Sequence, residues 1–546
     1  MKIDSLNVEL TIRISGAQGE GVETTGRTLA TVFAKLGYHV FAYRQYGSII
    51  KGNPAMFYQI RISDRKIYSH GRWRTYDVLI ALNDTALAQH RGGAKYVVSE
   101  KEIPLTDIAA KHGNKIMKNT AALGALAALL NLNPKYVAEQ LTKEFGEGKV
   151  AEANIAVLED AWRAALAKYS PIADVERVGE PRLLMSGAEA LGVGAVMAGM
   201  KFYAAYPMTP ASPMLHWLAQ WGPKFGVAVV QPEDEIAAIN MAIGAAYAGV
   251  RAATGTSGGG FDLMHEAFGL AAMIETPVVV FLAQRGGPST GLPTETEQSD
   301  LLMALSPAHG EYPHAVIAPR HIEEGLYAAA KAFNIAEKYQ VPVIVLTDLY
   351  FNESLNTVEF DPGRFKIERG ELLNAPVLWE EYKRYKITEN GISPRAIPGT
   401  PGGMHIATSD EHDEKGDVIT DTHRPEIRKA MHRKRMVKLE KIAEEMDPPD
   451  LRGGGEVVAA AWGSTSMPLM DIGGNGVGLA LFRDIYPLPD GGWKAALNGA
   501  KEVVVVEVNY RGQFADYLAS KGVKVSRKVL KWWGEPFSID ELAEWL

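Results

Sequence analysis

The 546-residue chain contains no cysteine. Disulfides, a cysteine nucleophile and a cysteine-ligated iron–sulfur cluster are therefore excluded within it. A redox role would need another chain to carry the electrons. Long apolar runs are missing too. Stretches such as Val278–Ala283 are strand-sized, far below the roughly 20 residues of a membrane helix. No apolar signal core follows Met1, so a cytoplasmic protein is expected. There is no basic tract and the formal net charge is -8, which gives no footprint for nucleic acid. No repeat recurs at solenoid spacing. What remains is ordinary for a globular protein, 47% hydrophobic and 22% charged. At roughly 100–200 residues per domain, three or four domains are expected.

Strand-like and helix-like runs alternate along most of the chain, which predicts an α/β protein of several domains. In residues 1–170, strand Leu10–Ser15 leads through the glycine-rich turn Gly16–Gly26 into a helix, Arg27–Leu36, and then into further strands including Asp77–Asn83. Residues 171–355 give the strongest pattern, a doubly wound parallel sheet with helices Ala188–Met200 and Glu235–Ala248 among its crossovers. In 356–454 the regular pattern fails. Proline, glycine and charge dominate before a basic helix-like stretch, Pro425–Glu445, and a connecting segment that wraps over a surface or covers a partner is expected. Residues 455–546 read as a small third α/β domain.

The most informative stretch starts at Glu235. Ala238, Ala242, Ala246 and Gly249 fall at helical spacing from it, so one face is small and admits close approach of another backbone. The glutamate opens a helix directly after a strand, where α/β sheets place ligand-contacting groups. Glu233 and Asp234 read as acidic residues favoured by the helix dipole.

The combination Glu235, Gly244, Ala246 and then a strand ending in Thr256–Gly260 resembles the pyrimidine-binding domain of thiamine-diphosphate enzymes. That resemblance assigns Glu235 to the pyrimidine ring nitrogen. There it favours the tautomer whose exocyclic nitrogen takes the proton from the reactive thiamine carbon. Ser257 and Gly258 are assigned to the same cofactor. The diphosphate grip of such enzymes, a GDG motif, is absent, so another chain is expected to supply it. A split site without cysteine resembles the 2-oxoacid:ferredoxin oxidoreductases, as an α-type subunit with a γ-type domain fused at its front. The resemblance implies a β-type partner subunit carrying the thiamine diphosphate grip, Mg²⁺ and a 4Fe–4S cluster. It also implies ferredoxin as acceptor and a dimer of αβ heterodimers.

Two further segments carry the resemblance. Tyr206–Pro213 resembles the family's YPxTP loop, which assigns Tyr206 and Thr209 to the 2-oxoacid. Leu282–Thr294 resembles the segment whose arginine binds the substrate carboxylate, which assigns Arg285; a guanidinium fork suits that geometry. Residues 455–546, with Val508–Phe514, resemble a transketolase-type C-terminal domain with no catalytic role. The segments PSTGLPT and SDEHDEKGD lean toward members acting on 2-oxoglutarate or on several 2-oxoacids.

The turn Gly16–Gly26 spaces its glycines as G-x-x-G-x-G, and the strand after it lacks an acidic residue for ribose, so a dinucleotide fold is rejected. It resembles the family's γ-type domain, which helps bind coenzyme A. The amides of Gly19 and Gly21 are assigned to phosphate, with Lys51 as its counter-charge. Two other readings compete. Gly255–Gly259 also fits G-x-S-x-G, which would make Ser257 the nucleophile of an α/β-hydrolase-like esterase with His309, His314 or His405 as base. A non-catalytic binding protein is the other.

Overall fold

The computed structural model describes residues 9–45, 54–419, 424–473, 476–489 and 491–546. Its architecture is α/β, built on three sheets. In the first, strands Ala94–Ser99, Tyr76–Ala81, Glu9–Gly16, Met56–Ser63 and His39–Gln45 lie side by side. Leu10, Ile12 and Ile14 point into a core with helix Val22–Lys35. On the opposite face, Arg13 is buried because Gln59 accepts from its Nη2 at 2.6 Å and the Phe57 ring lies 4.2 Å from its guanidinium carbon. The helix begins at Val22, earlier than the sequence pattern places it. Gly26 is therefore a helical residue packed on the Tyr58 ring, not a turn residue.

This sheet does not end with the N-terminal segment. Leu355–Val358 pairs antiparallel with His39–Gln45, and Leu183–Ser186 pairs with Leu355–Val358. Two short strands from later in the chain thus complete the first sheet and join it to the next layer.

The second sheet runs in the order Asp484–Tyr486, Ala315–Ile317, Pro342–Asp348, Val278–Gln284, Arg251–Thr256, Met200–Ala204, Ala228–Val230. All pairs are parallel except the first, a strand lent by the C-terminal domain. Val278–Gln284 and Pro342–Asp348 are buried at every position, as strands covered on both faces must be. Helices Gly187–Met197 and Ile322–Tyr339 cover one face, and Glu235–Tyr247 and Gly258–Met273 the other. Ala238, Ala242 and Ala246 are fully buried, so the small helix face admits a neighbour within this chain.

The third sheet spans Asp450–Arg452, Val477–Phe482, Val457–Trp462, Glu502–Glu507 and Arg527–Leu530. Between it and the second, residues 359–419 form a strap with a single short helical turn, Pro362–Arg364, followed by helix Pro425–Glu445. Buried ion pairs fasten this strap to the amino ends of the second sheet's strands. Glu337 receives Arg251 at 3.3 Å and Arg395 at 3.2 Å, and pairs with Arg369. Glu275 receives Lys434 at 2.6 Å and Lys438 at 2.5 Å, while Arg384 donates to its carbonyl. No helix among the described residues is long and apolar enough to cross a membrane.

Candidate functional site

In the second sheet the chain runs from Met200–Ala204 outward to Ala228–Val230 and then back across to Arg251–Thr256. This reversal is a topological switch point, and ligands of open α/β sheets sit at the carboxyl ends beside it. The residues singled out in the sequence gather there. Thr209 follows the first of these strands, Glu235 the second, Ser257 the third, and Arg285 the end of Val278–Gln284.

Glu235 is the first residue of its helix. Asp234 caps that helix, its side chain accepting from the Ala237 amide at 2.8 Å, so Asp234 takes the capping task and Glu235 is free for another. Glu235 is only 3% exposed, and among the described residues its Oε1 has no hydrogen-bond partner. A buried carboxylate oxygen without a donor is costly, and here it faces Gly260. A side chain there would place its Cβ 2.6 Å from Oε1. Ser257 is fully buried, with Oγ also unpartnered among the described residues. Two orphaned polar atoms beside a glycine cradle are the mark of a site shaped for a polar ligand.

Arg285 and Thr209 come together. Arg285 Nη1 donates to the Thr209 main-chain oxygen at 2.8 Å, and Asn352 Nδ2 donates to the next carbonyl, that of Pro210, at 2.9 Å. Burial lowers the Arg285 pKa, against the opposing charge of Asp300. Tyr206 lies at the rim, 37% exposed.

The loop after Arg285 is bound to the C-terminal domain. Gln298 N donates to Val508 O at 2.7 Å, Thr465 Oγ1 donates to Gln298 Oε1 at 2.6 Å, and Asn509 Nδ2 donates to Gln298 O at 3.1 Å. Ser464 and Gln298 both donate to the buried Asp348 carboxylate. The third domain therefore fixes the loop that follows Arg285, a role that Val508–Phe514 alone does not disclose.

Sequence reading missed two carboxyls. Asp300 lies against Gly258 and is pushed up to about 7 by burial, with Asp262 and Glu297 adding to the shift. Glu20 lies inside the glycine turn. It accepts from the Ala17 amide at 2.7 Å, from Asn83 Nδ2 at 2.6 Å and from Lys118 Nζ at 2.6 Å. Gly19 and Gly21 have positive φ, 88° and 80°, as the turn demands. Gly19 opens to free space, while Gly21 lies against Asn119. Lys51 falls outside the described residues.

Of the three histidines considered as a base, each is engaged elsewhere among the described residues. His314 Nε2 lies 3.2 Å from the Ala304 carbonyl oxygen, and His405 contacts Tyr247 and Gly403. His309 lines a separate cleft with Glu266 and His432. Among the described residues Ser257 Oγ has no hydrogen-bond partner, so nothing there supports the esterase reading.

Comparison with known proteins gives two matches to family descriptions. Residues 11–164 match "Pyruvate ferredoxin/flavodoxin oxidoreductase" and residues 193–432 match "Pyruvate flavodoxin/ferredoxin oxidoreductase, thiamine diP-bdg". The chain is 32% identical to the α subunit of 2-oxoacid:ferredoxin oxidoreductase 1 of Sulfurisphaera tokodaii, over 97% of this chain and 96% of the relative. It is 30% identical to the 2-oxoglutarate oxidoreductase subunit KorA of Mycobacterium tuberculosis, over 98% and 90%. Among solved structures, 2-oxoglutarate:ferredoxin oxidoreductase from Magnetococcus marinus, with 2-oxoglutarate, coenzyme A and succinyl-CoA bound, superposes with a TM-score of 0.90. That pair is 33% identical, covering 98% of this chain and 99% of the other.

Proposed function

Since the chain belongs to the 2-oxoacid:ferredoxin oxidoreductase family as an α-type subunit, we propose that it supplies the pyrimidine and substrate-carboxylate side of an active site completed by a β-type partner. The complex oxidatively decarboxylates a 2-oxoacid with coenzyme A to acyl-CoA and CO₂, and passes the electron pair through the partner's 4Fe–4S cluster to ferredoxin. 2-Oxoglutarate is the favoured substrate, since relatives named for it span most of this chain. A cytoplasmic dimer of αβ heterodimers is the assembly proposed.

The observation that carries this reading is the buried Glu235 Oε1, unpartnered and facing Gly260 at the switch point. Glu235, Ser257 and Gly258 fit the pyrimidine side of thiamine diphosphate. When bound, the cofactor supplies a carbon nucleophile for the substrate's keto carbon. Glu235 stabilises a proton on the ring nitrogen, because a buried carboxylate next to that atom favours its charged form. Arg285 orients the substrate through its carboxylate, with N–H groups beyond the one committed to Thr209. Thr209 and Tyr206 shape the entrance. The diphosphate and Mg²⁺ fall to the partner, and the outward face supports that division. Ile236 is 49% exposed, Met241 38% and Leu263 50%, and Gly244 borders open space, an apolar surface around a half-built site.

Coenzyme A is assigned to the first domain at Gly19, Gly21 and Lys51. Helix Val22–Lys35, which opens at Gly21, carries Arg27 into a cavity of about 350 Å³ shared with Arg44, His216 and Trp217 beside the site. The test is reconstitution. The chain alone should contain no iron and reduce no acceptor. Added to a β-type partner, it should give CoA-dependent dye or ferredoxin reduction with 2-oxoglutarate. Turnover by the isolated chain would overturn the split-site reading.

A further inference from the structure

Two successive carbonyls of the loop that carries Thr209 are held from neighbouring strand ends. Arg285 Nη1 donates to Thr209 O at 2.8 Å, and Asn352 Nδ2 donates to Pro210 O at 2.9 Å. Register sets this arrangement. Gln284 pairs with Asp348, so Arg285 leaves one strand beside the point where helix Leu349–Glu353 leaves the other. Asp348 caps that helix, accepting from the Phe351 amide at 2.9 Å. Its carboxylate also accepts from Gln298 Nε2 at 3.1 Å and from Thr296 Oγ1 at 3.3 Å, both in the loop that follows Arg285. Thr296 Oγ1 in turn accepts from the Tyr350 amide at 3.1 Å. One buried carboxylate thus ties the loop behind Arg285 to the short helix that carries Asn352.

Asn352 is only 3% exposed. A carbonyl can only accept, so Pro210 O fixes which end of the carboxamide meets the loop, the Nδ2 end. The other end, Oδ1, has no hydrogen-bond partner among the described residues. A buried amide satisfied at one end only is a poor choice for packing, where an aliphatic side chain of similar volume would cost less. We propose that Asn352 is a positioning residue for the 2-oxoacid: together with Arg285 it clamps the Thr209 loop, so that the Thr209 hydroxyl meets the substrate at a fixed place. The inference rests on the reading of Thr209 and Arg285 as substrate contacts. The clamp acts by removing freedom. A loop held at one carbonyl can pivot about it, whereas a loop held at two in succession cannot. Its ordering is then met on folding and not on binding substrate.

The experiment measures KM for 2-oxoglutarate and kcat in the reconstituted complex. A residue that acts through Thr209 cannot cost more than the Thr209 hydroxyl itself, so Asn352→Ala should raise KM about 3- to 5-fold. The loss should fall on KM, with kcat changed by less than about twofold. Asn352→Leu nearly conserves the volume and removes the donor, so it should raise KM to the same extent. A return to the wild-type KM in Asn352→Leu would show that the side chain only packs, and would overturn the proposal. A double-mutant cycle supplies the second readout. In the Thr209→Val background, Asn352→Ala should raise KM by less than about 1.5-fold further, because the group it positions is gone. Full additivity of the two effects, or a fall in kcat alone, would also overturn the proposal. Arg285→Ala and Thr209→Val separate the two readings. If neither alters KM, the pocket itself fails. If both raise KM while Asn352→Ala and Asn352→Leu leave it unmoved, only the Asn352 inference fails.

Discussion

The Arg285 guanidinium braces the loop that carries Thr209, its Nη1 donating to the Thr209 carbonyl oxygen at 2.8 Å. The cation assigned to substrate therefore also shapes the pocket's opposite wall, and the two residues are not equivalent targets. Arg285→Ala removes both a substrate contact and a brace. KM for the 2-oxoacid should rise about 10- to 150-fold, the range of a lost charge-assisted bond of ~1.5–3 kcal/mol. Thr209→Val keeps the carbonyl bond and loses only the hydroxyl, so its effect should stay near fivefold, about 1 kcal/mol. Steady-state kinetics of the two reconstituted variants decide it. Equal, small effects would reject the pocket.

Glu235→Gln keeps the shape at the helix start, and Asp234 still caps the helix. The fold should therefore survive while turnover falls about 100-fold or more, the scale of a lost acid–base group. Turnover at saturating thiamine diphosphate, beside an unchanged circular dichroism spectrum, is the measurement. Near-wild-type turnover would remove Glu235 from the site.

Gly260 offers a complementary test, because it is the floor against which Glu235 rests. Gly260→Ala would press a methyl group against Thr256 Oγ1 and Glu235 Oε1. The expected result is a rise in the thiamine diphosphate requirement of about tenfold, read by titrating the cofactor into the reconstituted apo-complex. An unshifted titration would mean that the cradle is structural.

Glu235 was singled out in the sequence by a local pattern, a glutamate opening a helix with a small face, whereas Ser257 and Arg285 were assigned through the family resemblance of the segments that carry them. Asp300 and Glu20 carry no such mark. Their surroundings are assembled from distant segments, Glu20 by donors at positions 17, 83 and 118 and Asp300 by burial where a loop crosses a helix end. The large α/β layers followed from periodicity. The strands Leu183–Ser186 and Leu355–Val358 are four residues long, too short for a period of two to register, and only tertiary pairing makes them strands. The strap was visible as a failure of pattern, but its course over the amino ends of the strands depends on the buried Glu275 and Glu337 carboxylates.

Those anchors set a stability prediction. Burial pushes the Glu275 carboxyl up, but Lys434, Lys438 and Arg384 outweigh it and hold it well below the usual carboxylate range. Burial draws Lys434 down to about 7 against the pull of Glu275. A lowered lysine contributes stability above its ordinary value near 10.4 that is lost as pH falls toward 7. The thermal midpoint should therefore drop on acidification from about pH 10 to about pH 7, and Lys434→Met should flatten that slope. Glu275→Gln leaves buried cations uncompensated and should cost about 3–5 kcal/mol, seen as a lowered urea midpoint. A wild-type midpoint in Glu275→Gln would show that the strap is held by packing alone.

The last prediction concerns the glycine turn, where Glu20 already occupies the place of an anion. Its carboxylate takes the Ala17 amide and the Lys118 ammonium, two donors that a phosphate bound by this turn would also want. If Gly19 and Gly21 hold a coenzyme A phosphate, that phosphate must either use the open side at Gly19 or displace Glu20. Glu20→Gln removes the competing charge while keeping a side chain that can still accept from the Ala17 amide. The Lys118–Glu20 pair is partly exposed, with side-chain accessibilities of 22% and 23%, so its loss costs little stability, about 0.5–1 kcal/mol at most. KM for coenzyme A should accordingly fall about 2- to 5-fold in Glu20→Gln, with KM for the 2-oxoacid unmoved, because the freed lysine adds one charge–phosphate contact. Lys118→Ala in the same background should cancel the gain. If Glu20→Gln leaves the coenzyme A KM where it was and only lowers the thermal midpoint, the carboxylate is a structural clasp for the turn. The coenzyme A assignment of Gly19 and Gly21 would then be withdrawn, since a loop that keeps its donors satisfied internally has none left to offer a ligand.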